Sequence, residues 1–96
     1  MVMTVLEARV PNERLAEVEP LFSLGTAQLP PEILATYLVR DADEPTLFRL
    51  NTVWRTREAL EAMRGSGLKT KGVQMFEAVG AHPTLSIFDV VVSRTR

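Results

Sequence analysis

Two segments of this chain are apolar on both of their alternating faces, and that limits what the rest can build. In Met1 to Val10 one face carries Val2, Thr4, Leu6, Ala8 and Val10, and the other carries Met1, Met3, Val5, Glu7 and Arg9. Thr84 to Ser93, TLSIFDVVVS, repeats the pattern. Successive strand side chains point to opposite sides, so strands of this kind belong to a sheet covered on both faces rather than one open to water. The β-branched and long apolar residues of Met1 to Val10, stopped by Pro11, fit a strand better than a helix.

A chain of 96 residues is one domain, which buries only roughly 60–68% of the surface its unfolded form exposes. With 46% hydrophobic and 24% charged residues it has the apolar content of a folded protein. The absence of cysteine excludes disulfide staples, thiolate metal sites and a cysteine nucleophile. A formal net charge of −1 supplies no electrostatic excess for phosphate backbones or anionic membranes, so neither nucleic acid nor membrane is expected as a partner. MVMTVLEARV lacks the basic region and cleavage site of a signal peptide, and no apolar run approaches the ~20 residues of a membrane span. The expected location is cytoplasmic.

After Pro11, Asn12 is placed to cap a helix in which Leu15, Val18, Leu21 and Phe22 recur at helical spacing, with Glu13 favoured in the first turn. Pro20 is expected to kink or divide that helix, and Gly25 to end it. Ile33 to Arg40 and Thr46 to Trp54 read as antiparallel strands joined by the polar loop Asp41-Ala42-Asp43-Glu44-Pro45. Thr56 is placed to cap a second helix with Leu60 and Met63 on its apolar stripe, and Gly65 to close it at the C′ position. Val73, Met75, Phe76 and Val79 suggest a short third helix ending at Gly80.

The order β-α-β-β-α-(α)-β predicts an α+β, ferredoxin-like βαββαβ fold: a four-stranded antiparallel sheet with its helices on one face. The second face would then be bare, and a sheet-sized apolar surface is rare on a soluble monomer. Self-association resolves this, so a homodimer is predicted in which two sheets face one another.

Ile33 to Ala62, ILATYLVRDADEPTLFRLNTVWRTREALEA, resembles the antibiotic biosynthesis monooxygenase family of dimeric α+β barrels. A strand, a short acidic turn with proline and a second strand ending in tryptophan lead directly into a helix carrying Glu-Ala-Leu. Lys71 to Val91 looks like the family's later helix and returning strand. The resemblance implies a single domain over residues 1–96 and activities that range across the superfamily from oxygenases to isomerases. For this chain it implies a monooxygenase that needs no cofactor and binds a small apolar or aromatic molecule between helices and sheet.

The same resemblance singles out Trp54 and Asn51 as catalytic. The plainer reading of Trp54 is a core aromatic whose indole N–H finds one partner; the functional reading gives that N–H to a substrate oxygen or dioxygen. Asn51, three residues earlier, falls on the opposite strand face unless a bulge intervenes, where an interface or edge role competes with catalysis. Tyr37, Phe48, Phe76 and Asp89 are the substrate-binding candidates. Against this, Tyr37 fits a core or interface tyrosine, and Asp89 fits an exposed or ion-paired carboxylate, with Arg49 or Arg9 as the partner. His82, the only histidine, sits in the loop before the last strand and makes neither a metal triad nor a catalytic triad; no metal site is expected. Family haem degraders carry a ligating histidine on a helix after the tryptophan, and Leu68 to Gly72 has none, which disfavours haem. Arg55 and Arg57 flank a helix start and could hold an anion. The competing function is a non-catalytic dimer that binds an apolar ligand; a lyase or isomerase would need Asp89 to converge with Tyr37 or His82.

Overall fold

A computed structural model describes residues 1–67 and 69–96. The elements are β1 (Val2–Arg9), a 3-10 helix (Asn12–Glu17), α1 (Val18–Gly25), β2 (Ile33–Arg40), β3 (Leu47–Trp54), α2 (Arg57–Gly65), α3 (Lys71–Ala78) and β4 (Thr84–Asp89). The strands form one antiparallel sheet in the order β2-β3-β1-β4, the ferredoxin-like arrangement, and the sheet does not close on itself.

The register sorts the side chains. Val2, Thr4, Leu6 and Ala8 of β1 lie opposite Trp54, Thr52, Leu50 and Phe48 of β3. All eight are buried, because this face carries the helices. The larger core cluster joins Leu6, Phe48 and Leu50 to Val18 of α1 and to Met75 and Phe76 of α3. A second cluster joins Val2 and Trp54 to Leu60 of α2. Arg14 donates to Glu17 and also to the carbonyl of Ala78 at 2.8 Å, fastening the 3-10 helix to the last carbonyls of α3, where a cation is electrostatically favoured.

The second face is open, apolar around Met3 and Phe88 and polar towards the Glu7–Arg49 ion pair at its other end. Met3 pairs with Val53 and Phe88, and Val5 with Asn51 and Ser86. Tyr37 and Phe88 are 58% and 49% exposed.

Helix ends differ in detail from the expectations. Thr56 caps α2 by accepting the N–H of Ala59, and Thr70, which sequence reasoning passed over, caps α3 by accepting that of Val73. Asn12 does not cap: Pro11 precedes the first turn, which has no side-chain cap. The helix divides between Glu17 and Val18, so Pro20 falls in the first turn of α1, where a missing N–H leaves no helical bond unmade. Gly65 ends α2, but Gly67 is the residue in the left-handed region, at φ 77°. The last strand stops at Asp89 rather than Ser93. Asp89 lies opposite Val2, the first residue of β1, and one further bond joins the Val90 N–H to the Met1 carbonyl.

Candidate active site

A cavity of about 430 Å³ opens between the helix-facing side of the sheet, α2, the start of α3 and the chain after α1. Leu6 and Leu50 form apolar floor, and Ile33, Leu60 and Met63 form walls. Gly72 controls how closely α3 approaches. A Cβ there would sit 2.5 Å from Leu50 Cδ2 and 2.9 Å from Leu6 Cδ1, so any larger residue would press these leucines into the cavity.

The floor also carries threonines from three strands. Trp54, 6% exposed, donates its indole N–H to Thr4 Oγ1 at 3.1 Å. Thr36 and Thr52 lie opposite one another and their hydroxyls meet at 3.0 Å. Thr4 accepts in its bond with Trp54, and a hydroxyl that accepts keeps its own hydrogen to donate. The Thr36–Thr52 bond uses one of its two hydroxyl hydrogens, leaving the second available. The apolar cavity thus holds a small polar floor of hydroxyls beside a tryptophan. Threonine suits both roles: its branched Cβ favours strands, and its hydroxyl bonds across neighbouring strands.

The rim is one-sided in charge. Arg64 of α2 and Lys71 of α3, both exposed, line the cavity, and none of its lining residues is acidic.

Of the residues singled out from the sequence, Trp54 alone lines this cavity. Phe48 and Phe76 are buried in the larger core cluster; Phe76 has no exposed surface. Asn51 is on the other side of the sheet, opposite Tyr37 and Val5, because three residues along a regular strand reverse the side-chain direction. Its Oδ1 is buried and unpartnered. Tyr37 stands on that open face too. Asp89 is exposed and paired with Arg57 rather than with Arg49 or Arg9, which bind Glu7 at 2.7 Å and Glu44 at 2.9 Å. Tyr37 on β2 and Asp89 on β4 lie at opposite edges of the sheet, and His82 precedes the far end of β4 from Asp89, so the three do not converge. Of the stretch Leu68 to Gly72, Leu68 lies outside the described residues. The sequence carries only part of the signal for the hydroxyl floor: Thr52 shares the β3 face of Trp54, and Thr4 the β1 face of Val2 and Leu6.

The fold and the cavity define a ferredoxin-like α+β domain with a ligand-sized space between helices and sheet. Residues 1–74 match the model of the antibiotic biosynthesis monooxygenase family, and the chain belongs to that family. Solved structures share its fold at low identity. A Deinococcus radiodurans protein named for the same family superposes with TM-score 0.76 at 14% identity, over 100% of this chain and 98% of its own. SnoaB from Streptomyces nogalater, a cofactor-independent oxygenase, gives 0.73 at 18%, over 96% and 94%. MhuD, solved with two manganese protoporphyrin IX bound per active site, gives 0.74 at 19%, over 100% of both chains. No curated protein matches the chain. Among the described residues, no helix is long and apolar enough to cross a membrane.

Proposed function

We propose that this protein is a cofactor-independent monooxygenase that oxidises a small apolar or aromatic substrate in the cavity between sheet and helices, and that it works as a homodimer joined through the open sheet face. The observation that carries the reading is the apolar cavity floored by Trp54, Thr4 and the Thr36–Thr52 pair. The membership of the family and the SnoaB-like fold support it.

The chemistry suits such a site. A substrate with an activated CH2 group loses a proton to water to give a delocalised carbanion, which passes one electron to dioxygen. The radical pair combines through a new C–O bond to a peroxide anion that takes a proton back from water, and loss of water leaves a ketone, so CH2 and O2 become C=O and H2O. Negative charge gathers on the substrate oxygen during ionisation. Hydroxyl donors fixed in an apolar surround stabilise such charge without reorganising, and removing one donor of this kind costs about 10²–10³ in rate. Thr4 and the Thr36–Thr52 pair supply the donors. Trp54 acts through Thr4: its N–H, given to Thr4 Oγ1, polarises the hydroxyl that faces the substrate. With no carboxylate or imidazole on the cavity lining, the substrate must be acidic enough to ionise readily.

A second reading, a non-catalytic dimer that binds the same class of molecule, draws on the same bond, because an indole N–H already satisfied by Thr4 needs no substrate. Oxygen uptake separates the two. Without flavin, metal or haem, a panel of anthrones and hydroquinones should show protein-dependent uptake that falls in Thr4→Val and in Trp54→Phe. Binding of these compounds with uptake no faster than buffer would favour the second reading.

A further inference from the structure

We propose that the substrate carries an ionised acid group at one end of its aromatic body, held at the cavity rim by Arg64 and Lys71. This rests on the cavity being the binding site, as proposed above. It adds which molecules the site selects.

Arg9, Arg14, Arg49, Arg57 and Lys69 each have a carboxylate partner within 4.0 Å. Arg64 and Lys71 have none among the described residues, although the chain has 12 acidic residues against 11 basic ones. These two cations come from different helices and line one cavity that no acidic residue lines. Arg40, Arg55, Arg94 and Arg96 likewise lack a carboxylate within 4.0 Å among the described residues, so what sets Arg64 and Lys71 apart is their shared place on this cavity.

The interior sets the rest of the ligand. Leucine, isoleucine and methionine walls accept a ring body, and the hydroxyl floor accepts an oxygen at its inner end. A charged group could not enter that apolar interior without a large desolvation penalty. At the rim it would stay partly hydrated while gaining charge-assisted hydrogen bonds from a guanidinium and an ammonium. A ring system with its reactive oxygen inward and its acid outward satisfies both ends, and fixing both ends orients the carbon between them.

The test compares anthracene-2-carboxylate with the neutral anthracene-2-carboxamide. Binding is read by calorimetry and by energy transfer from Trp54, the only tryptophan and a cavity residue. The acid should bind about tenfold more tightly than the amide, and its advantage should shrink as salt is raised. In Arg64→Gln/Lys71→Gln the affinity for the acid should fall to that for the amide, whose own affinity changes far less; thermal melting verifies the fold. Equal binding of acid and amide by the wild type, or a preference that survives in the double variant, would overturn the acid-group proposal and leave the cavity reading standing. Failure of both compounds to bind would overturn the cavity reading, and this proposal with it.

Discussion

The indole N–H of Trp54 ends on the hydroxyl of Thr4, 3.1 Å away and 50 residues distant in sequence. The bond crosses from β3 to β1, whose register places Trp54 opposite Val2 and Thr52 opposite Thr4, so the two residues are diagonal neighbours on one sheet face. Both are buried. It joins packing to chemistry: a large aromatic is locked in one orientation, and the hydroxyl it engages fronts the cavity.

Thr4→Val keeps the shape and β-branching but leaves the Trp54 N–H buried without an acceptor. Such an orphan costs about 1–3 kcal/mol. Denaturant unfolding followed by tryptophan fluorescence should show that loss in the midpoint, while Thr4→Ser should recover most of it. Trp54→Phe removes the donor and so should lessen the cost of Thr4→Val, giving a coupling of about 0.5–3 kcal/mol in a double-mutant cycle read by circular dichroism. Strict additivity would show that the bond contributes nothing.

Much of the fold was legible because period and punctuation agree. Asp41 to Pro45 marked the hairpin, and Thr56 with its following apolar stripe marked α2. The cavity was less legible because its parts are distant in sequence: Thr4, Thr36 and Thr52 come from three strands, and only the register brings them together. A threonine in a strand reads locally as β propensity, with no sign of a hydroxyl cluster. Phe48 and Phe76 looked like ligand contacts, yet large aromatics on the helix-facing side are just what the core uses. Asn51 and Trp54 were legible as lying on opposite faces because both sit on one strand, and β3 is regular against β1 there.

Gly72 offers a separate handle on cavity size. In Gly72→Ala the new methyl meets the ends of the Leu50 and Leu6 side chains, which can turn into the empty space beside them. Alanine also favours the helix by up to about 1 kcal/mol over glycine. The expected stability change is therefore small, within about 1 kcal/mol by chemical denaturation. Affinity for an anthracene-sized ligand should fall about tenfold, since a methyl-sized intrusion into an apolar pocket is worth about 1–3 kcal/mol. Unchanged affinity would place the ligand elsewhere.

The hairpin loop carries a pH-dependent contribution. The carboxylate of Asp41 accepts the N–H groups of Asp43 at 3.0 Å and Glu44 at 2.9 Å. These two bonds, Asp43's first, hold its pKa below the usual value of 3.8. A depressed folded-state value means that the ionised form stabilises the fold: the contribution is full above the unfolded value and is lost as pH falls through the folded one. Asp41→Ala should melt lower than wild type at neutral pH, and the gap should narrow on acidification below 3.8. A gap that stays constant would show that the turn does not draw on the charge.

The open sheet face makes the most direct claim about assembly. Phe88, Met3 and Val53 are linked across β4, β1 and β3, and Tyr37 and Val39 extend the apolar surface on β2. A stable interface buries about 800 Å² on each partner, and the exposed apolar side chains Tyr37, Val39 and Phe88 contribute to such a surface. It also contains the one unpartnered buried side-chain acceptor among the described residues, Asn51 Oδ1. Such an atom is costly inside one chain and ordinary where a second chain brings a donor. Sedimentation equilibrium at micromolar concentration should give twice the chain mass of 10.7 kDa. Phe88→Glu with Val53→Glu should give monomers, because four carboxylates would then be forced into one apolar interface. Trp54→Phe, on the opposite side of the sheet, should remain dimeric. A wild-type monomer, or a dimer indifferent to the paired glutamates, would move the interface away from this face.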